Sequence, residues 1–392
     1  MEILTTSKSI NIDFNVPLRH QLRFTHDCFG ADWSVVESLL ESEHSEPRIQ
    51  VWIDRGVVSA SHSFLARLNE CLCRSGKIQL TSPPHEIAGG EQIKASPDLV
   101  EEIFATMNRD GLDRRSYVLV IGGGAVLDAV GYAAAIAHRG IRLIRFPTTT
   151  LAQADSGVGV KNAVNAFGKK NWKGTFAVPW GVVNDSSLLE CLSDRDFRSG
   201  FSEALKVSLL KSESAFEELY SAATEISQRD MLKSLKVIQS SVMMHLQHIT
   251  QGGDPFEASE ARPLDFGHWS AHKLESLCDY QIRHGEAVAI GVALDVVYSS
   301  LALGLDTEVV SRSLETLDRL GLPTYHEQLE ERVLFEGLEE FRQHLGGRLT
   351  LTMLKAIGEM IQVHEIDYAK MRQAIAYLKG RSERSVQEDH HE

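Results

Sequence analysis

Between Arg145 and Lys173 the chain reads RFPTTTLAQADSGVGVKNAVNAFGKKNWK, gathering a carboxylate, several lysines and glycines into one loop-rich stretch. That mixture suits a phosphorylated ligand, because glycines let backbone approach closely and lysines answer its charge. Just ahead, SYVLVIGGGAVLDAVGYAAAIA reads as an apolar strand, a turn at Gly122, Gly123 and Gly124, and an alanine-rich helix. In such a strand–turn–helix the backbone N–H groups can receive a pyrophosphate. Leu127 stands where the third glycine of G-x-G-x-x-G would fall, so the glycine run alone serves a tight structural turn as well as a cofactor. Asp128, one turn into the helix, fits a helix-start carboxylate as readily as a ribose ligand.

Three further pieces point to a metal. Glu203 lies in RSGFSEALKVSLL, His268 in LDFGHWSAHKLES and His284 in IRHGEAVAIG. One carboxylate and two imidazoles from separate segments form a three-ligand set for a catalytic zinc, which keeps a coordination position open. His268 and His272 are spaced i,i+4 and share a helix face, a pairing that ordinary helices also show. An imidazole opening an apolar helix beside Gly285 is an odd choice for packing alone.

The elements that must hold these groups change character midway. Up to about Cys191, short apolar runs such as RIQVWID, KIQLTS, SYVLVIG and IRLIRFP alternate with helical patterns, which argues for a parallel sheet with helices on both sides. Beyond Ser193, amphipathic patterns such as SAFEELYSAATEISQRDMLKSLKVIQSSVMMHLQHI and TMLKAIGEMIQVHEI predict helix, with Met243 and Met244 in its core. The start, MEILTTSKSINIDFNV, alternates like a strand. GGDPFEASEARPL is a turn-rich insertion expected to project toward the cleft. KGRSERSVQEDHHE, with His390 and His391, reads as a solvated, disordered tail. The expected division is an α/β domain over 1–192, an all-α domain over 193–380 and the tail over 381–392.

With 392 residues, 43% of them hydrophobic, the chain can build two cores. A net charge of −14 argues against nucleic acid, yet Arg139, Lys161, Lys170 and Lys206 can still make one cleft positive. The cysteines Cys28, Cys71, Cys73, Cys191 and Cys278 form neither an even disulfide framework nor a C-x-x-C pair. The opening lacks the charged and apolar regions of a secretory signal, and the Val118–Ala137 stretch is broken by glycines and Asp128. The expectation is a cytoplasmic protein with no membrane partner.

Taken in order, GGGAVLDAVG, RGIRLIRFPTTT, DSGVGVKNAVN, GKKN, FSEALK, DFGHWSAH and RHGEAVAIG resemble the sugar-phosphate cyclases, the family of dehydroquinate synthase, from about Asp54 to His284. The resemblance implies a dehydroquinate-synthase-like fold, with a Rossmann-like first domain and a helical second one, and site roles residue by residue. Glu203, His268 and His284 match the zinc ligands, where zinc or another divalent ion such as Co2+ would sit. Asp155, Lys161, Lys170, Asn171, Lys206, Glu257 and Asp265 match substrate-pocket positions, and Arg139 and His272 match contacts to the substrate's phosphate. Among these, Asp155, Lys161, Lys206 and His272 carry the catalytic expectation. Asp54, Glu91, Lys94, Gly123, Gly124, Asp128, Thr148 and Thr149 match positions around NAD, joined there by Asp155, Lys161 and Lys170. The implied partner is a phosphorylated sugar, in a homodimer.

The reaction so implied oxidises a ring hydroxyl with NAD, eliminates phosphate, reduces the ketone and closes the opened ring by an intramolecular aldol step. Two departures bear on the substrate. Where dehydroquinate synthase carries an arginine and, four residues later, an asparagine before the first zinc histidine, this chain holds Ala261 and Asp265, with Arg262 one place out of register. His272 is retained, whereas valiolone-forming cyclases, which share the aspartate, replace it. A heptulose phosphate is the leading substrate. A divergent dehydroquinate synthase acting on a heptulosonate phosphate and a metal-dependent polyol dehydrogenase are the alternatives.

Overall fold

The computed structural model describes residues 9–41, 46–61, 63–76, 78–167, 169–252, 254–257, 262–344 and 347–389. Strands β1 (Leu22–Thr25), β2 (Arg48–Asp54), β3 (Gln79–Leu80), β4 (His85–Ile87), β5 (Tyr117–Gly122), β6 (Arg142–Pro147) and β9 (Gly181–Asp185) form one parallel sheet. Its order is β1-β9-β6-β5-β2-β3, with β4 also on β2. Every residue of β5 is buried, as a central parallel strand covered on both faces requires. One face packs Phe29, Phe64, Leu68, Ile53 and Phe146, and the other packs Ile103, Val120, Leu127 and Val130.

The chain runs outward from β2 to β3 and β4, then returns to lay β5 on the opposite side of β2. The crevice beyond the carboxyl ends of β2, β5 and β6 therefore lies at a switch point, where open α/β sheets bind ligands. Asp54, Gly122 and Pro147 end those three strands. Off the main sheet, the antiparallel hairpin of β7 (Lys161–Ala166) and β8 (Lys169–Phe176) carries Lys161, Lys170 and Asn171.

From Asp194 onward the chain is mostly helical, around the nearly all-buried helix His284–Leu303. Its mean hydropathy of 1.6 and its length would suffice to cross a membrane, but 72% of it is buried inside the protein, which marks a core helix. The second domain is not entirely helical. TMLKAIGEMIQVHEI forms the hairpin β10 (Leu351–Ala356) and β11 (Glu359–Val363), with Gly358 at φ +79 in the turn. The left-handed glycine breaks the helical period that the apolar spacing suggested, and Leu351, Met353 and Leu354 enter the core as strand residues.

Three other expectations are corrected. Residues 9–16 form no strand, because their alternating Ile10, Ile12, Phe14 and Val16 find no partner and stand exposed; residues 1–8 lie outside the described region. Met243 is 58% exposed, while Met244 packs on the core. The tail is helical through Asp389, continuing the helix from Tyr368, with Lys379 paired to Glu330 and Arg381 to Asp318. His390 and His391 lie outside the described residues.

Candidate active site

A cleft of about 1130 Å³ lies between the carboxyl edge of the sheet and the helical half. Two glycines on the His284 helix bring the metal-type residues together. A Cβ on Gly285 would sit 2.0 Å from the Ser199 carbonyl, and one on Gly291 would sit 2.0 Å from the Gly267 carbonyl. Only glycine lets this helix lie against both the segment leading to Glu203 and the turn that opens the His268 helix. Asp295, one turn beyond Gly291, accepts from Gly267 N at 2.9 Å and from Trp269 Nε1 at 3.0 Å, bracketing His268. Burial raises the Asp295 carboxyl to about 7, against the lowering effect of those two donors.

Glu203 is buried one layer behind the cleft wall. Its Oε1 lies 3.4 Å from His268 Nε2 and 3.6 Å from His284 Nε2, and it accepts no hydrogen bond. Tetrahedral ligands at roughly 2.0–2.2 Å from an ion stand ~3.3–3.5 Å from one another, so an orphaned carboxylate oxygen among two imidazoles fits a zinc-like cation. The other nitrogen of each ring has an oxygen partner: His268 Nδ1 is 3.2 Å from the Phe266 carbonyl and His284 Nδ1 is 3.1 Å from Glu275 Oε2. Such partners set the tautomer and orientation of a ligating histidine. Lys206 Nζ lies 2.5 Å from Glu203 Oε2. Burial opposes ionisation of Glu203, yet Lys206 and His268 hold it well below the usual carboxylate range.

Glu275 was not singled out by the sequence reading. It follows His268 and His272 at i+7 and i+3 on the same helix face, which was the available signal. Its oxygens lie 2.8 and 2.9 Å from Lys170 Nζ, tying the β7–β8 hairpin to the metal helix. Burial alone would lower the Lys170 pKa, but Glu275 and Glu91 outweigh it and raise it. His272 faces the same space, its ring 5.3 Å from that of His268 and 5.9 Å from that of His284. His272 is exposed to the cleft, so desolvation is a weak cause there, and the charges of Lys170 and His268 remain to lower its pKa.

At the sheet edge, the helix Gly124–Ile136 has Gly123 as its N-cap and no side chain on its first N–H groups. Those donors remain available to an anion. Gly123, Gly124, Thr148 and Thr149 line this part of the cleft, and Thr148 N donates to the Gly122 carbonyl at 3.0 Å. Asp54 caps its own helix by accepting from Gly56 N, and burial raises its pKa. Lys94 Nζ lies 2.7 Å from Asp128 Oδ2 and 3.9 Å from Glu91 Oε1, so Asp128 is held by a buried lysine. This edge fits a dinucleotide whose pyrophosphate meets the glycine turn.

Asp155, Lys161, Lys170, Asn171 and Lys206 converge on the space between these two regions, together with Glu257 and Asp265. Lys161 Nζ is 2.5 Å from Glu257, whose second oxygen is 3.7 Å from Arg262 Nε. The 254–257 and 262–265 segments line the cleft as the insertion was expected to; Ala261 lies outside the described residues. Arg139 is not brought in. It is exposed on the turn after the 13-residue helix that begins at Gly124, roughly 20 Å along the axis from the glycine turn. His245 and His248 also line the cleft, unforeseen because a histidine on a long amphipathic helix has no distinguishing neighbour in sequence.

Residues 84–199 match the family model for the 3-dehydroquinate synthase N-terminal domain, and residues 200–342 match that for the C-terminal domain. The chain belongs to the 3-dehydroquinate synthase family. It is 33% identical to a 3-dehydroquinate synthase of Paracoccus denitrificans over 84% of this chain and 89% of the relative. It is equally 33% identical to a 2-epi-5-epi-valiolone synthase of Streptomyces glaucescens, over 72% of this chain and 73% of that protein. In fold it is similar to ValA, the 2-epi-5-epi-valiolone synthase of Streptomyces hygroscopicus subsp. jinggangensis solved with NAD+ and Zn2+ bound. That likeness has a TM-score of 0.86 at 24% identity and covers 95% of this chain and all of ValA.

Proposed function

We propose that this chain is a metal- and NAD-dependent sugar-phosphate cyclase that converts a heptulose phosphate to a carbocycle. The observation that carries this reading is a single cleft lined at one end by His268 and His284, with buried Glu203 against both, at the other by a bare helix N-terminus, and by Lys161, Lys170, Lys206 and His272 between them. A simple dehydrogenase needs the two ends but has no use for three lysines and a fourth residue suited to a phosphate. Bound at these places, a divalent ion would polarise the alcohol and then the ketone, and NAD would take and return the hydride.

The chain's own residues supply the rest. Lys161, Asn171 and His272 offer donors for a phosphoryl group, and the β7–β8 hairpin that carries the first two is anchored through Lys170 to Glu275. Oxidation at the neighbouring carbon acidifies the C–H; as the C–O bond breaks and C=C forms, the proton passes to an oxygen of the departing phosphate, which leaves with it. Holding the opened aldehyde and enolate in one cleft then gives ring closure a high effective concentration. NAD emerges unchanged.

Preference for a substrate without a carboxylate rests on the loop before His268. Glu257 is shared between Lys161 at 2.5 Å and Arg262 Nε at 3.7 Å, so the Arg262 charge is only partly offset, and Asp265 adds a negative charge on the same wall. Two like charges ~4 Å apart cost about 4 kcal/mol at an effective dielectric of 20, about a thousandfold in affinity. The divergent dehydroquinate synthase remains the second reading, favoured by His272 and by the equal identity to that enzyme. Anaerobic incubation with heptulose and heptulosonate phosphates, read by phosphate release, nicotinamide absorbance and mass of the carbocycle, separates these outcomes. Net NADH without phosphate release would instead establish a polyol dehydrogenase. We also propose a cytoplasmic homodimer, which light scattering of the purified protein checks.

A further inference from the structure

The imidazole of His245 has no part in the metal set, in the lysine cluster or at the glycine turn, yet it meets the one acidic side chain of the loop that follows β6. Its Nδ1 lies 2.7 Å from Asp155 Oδ1, with both side chains mostly shielded from solvent. Asp155 sits in a wide, π-type helical turn over Ala152–Ser156. Such turns are costly and collect at functional positions. The helix Met231–Gln251 braces this turn twice along one face: Ser241 Oγ donates to the Ala154 carbonyl at 3.3 Å, and His245, one turn on, holds the carboxylate.

Asp155 lines the cleft, and among the described residues the 2.7 Å approach of His245 Nδ1 is the one close polar contact of its carboxylate. One oxygen is therefore committed to His245, while the other is left for a ligand, within the fields of Lys206 and Glu203. On its far side, His245 Nε2 looks toward Gly159, 3.6 Å from where a Cβ there would be. Asp155 has a lowered pKa despite burial, the largest effect, because His245 and Lys206 outweigh both burial and the repulsion of Glu203.

We propose that His245 is a positioning residue for Asp155: its Nδ1–H fixes one carboxylate oxygen so that the other stays aimed at a substrate hydroxyl as its proton acceptor. This rests on the cyclase reading above. For a ring alcohol to become a ketone, bound NAD would accept the C–H electron pair as hydride while the O–H proton leaves and the C=O bond forms. The proton released needs a base, and Asp155 takes it; on reduction of the later ketone the same carboxylic acid returns it, so proton and hydride both balance over the cycle. An unanchored aspartate in a roomy cleft would spend most of its time in other rotamers.

The contact is made through Nδ1, the nitrogen closest to the backbone, and this gives the test. The amide of Asn can place a donor at the reach of Nδ1, whereas that of Gln reaches the place of Nε2. His245→Ala should lower kcat on the order of tenfold to a hundredfold while KM for the sugar phosphate and NAD+ affinity stay within about twofold. His245→Asn should recover about tenfold of that loss, and His245→Gln should stay near Ala. Equal activity of the Asn and Gln variants, or a loss confined to KM or to thermal stability, would overturn the proposal. Independently of turnover, proton NMR of the wild-type protein should show a low-field, exchange-protected His245 Nδ1 proton that Asp155→Asn shifts and His245→Gln removes. Its absence from the wild type overturns the pairing. Failure of the wild type to convert any ketose phosphate would overturn the cyclase reading instead, and the NMR result would still decide the pairing.

Discussion

Removing Glu275 should injure the metal site without touching a ligand. Its carboxylate is 5% exposed, and it serves the Lys170 ammonium at 2.8 Å and His284 Nδ1 at 3.1 Å together. Glu275→Ala leaves a largely buried cation unpaired, which costs about 3–5 kcal/mol where burial is complete; Lys170 keeps 19% exposure, so a loss near ~3 kcal/mol is expected. The same change frees the His284 ring to rotate, and loss of such a partner typically weakens metal binding 10- to 100-fold. Glu275→Gln keeps one acceptor oxygen and should weaken the metal about tenfold. Denaturant melts measure the first effect and competition with a zinc chelator the second. Replacing Lys170 by Met as well should recover most of the lost stability but none of the metal affinity. The side chains also allow another grouping, His272–Glu275–His284, whose ligand atoms lie within 4.8 Å of one another. Full metal retention by His268→Ala, with total loss in Glu275→Ala, would move the ion there and refute the reasoning. Unchanged chelator competition in Glu275→Ala would refute it from the other side.

Purified protein should carry about one divalent ion per chain, and His284→Ala should lose it along with activity while staying folded by circular dichroism; full metal content in that variant would remove His284 from the site. Asp265→Asn should shift the ratio of heptulosonate to heptulose turnover toward the acid, by up to about a thousandfold if the repulsion is unscreened and less because Arg262 stands nearby. Efficient use of the heptulosonate by the wild type would show that Arg262 serves despite Glu257. Asp295 makes a pH prediction: its folded value of about 7 lies above its ordinary 3.8, so between these limits the folded state binds the extra proton and stability falls as pH rises. Stability of the wild type relative to Asp295→Asn should therefore fall by up to about 4 kcal/mol from pH 4 to pH 8 in denaturant melts, and a flat difference would place the ionised carboxylate in the native state at all these values.

What the sequence disclosed and what it hid follow from how far each residue's partner lies along the chain. The glycine turn after β5 and the alternation of strands and helices up to β9 are local patterns, and the structure realises them closely. His284 was identifiable because an imidazole beside Gly285 opens an apolar helix, whereas Glu203 and His268 gained their meaning from standing together with it in an ordered set of motifs. Glu275 and His245 look like ordinary helix residues, and their meaning depends on Lys170 and Asp155, which approach only after folding, 105 and 90 residues away. Arg139 shows the converse. It stands three residues past the end of a helix whose beginning faces the cleft, so within one chain helix length keeps it from the glycine turn. The hairpin at Leu351–Val363 shows a third limit, since Met353, Leu354 and Ile361 satisfy a helical spacing and a strand pairing alike. There a single left-handed glycine, not the apolar pattern, decided the outcome. The proposed site is thus written in two layers: cleft positions that short motifs single out, and Glu275 and His245, whose contacts with His284 and Asp155 only the fold brings together. Variants of the second kind, at Glu275 and His245, should consequently alter affinity and turnover while leaving every locally recognisable motif intact.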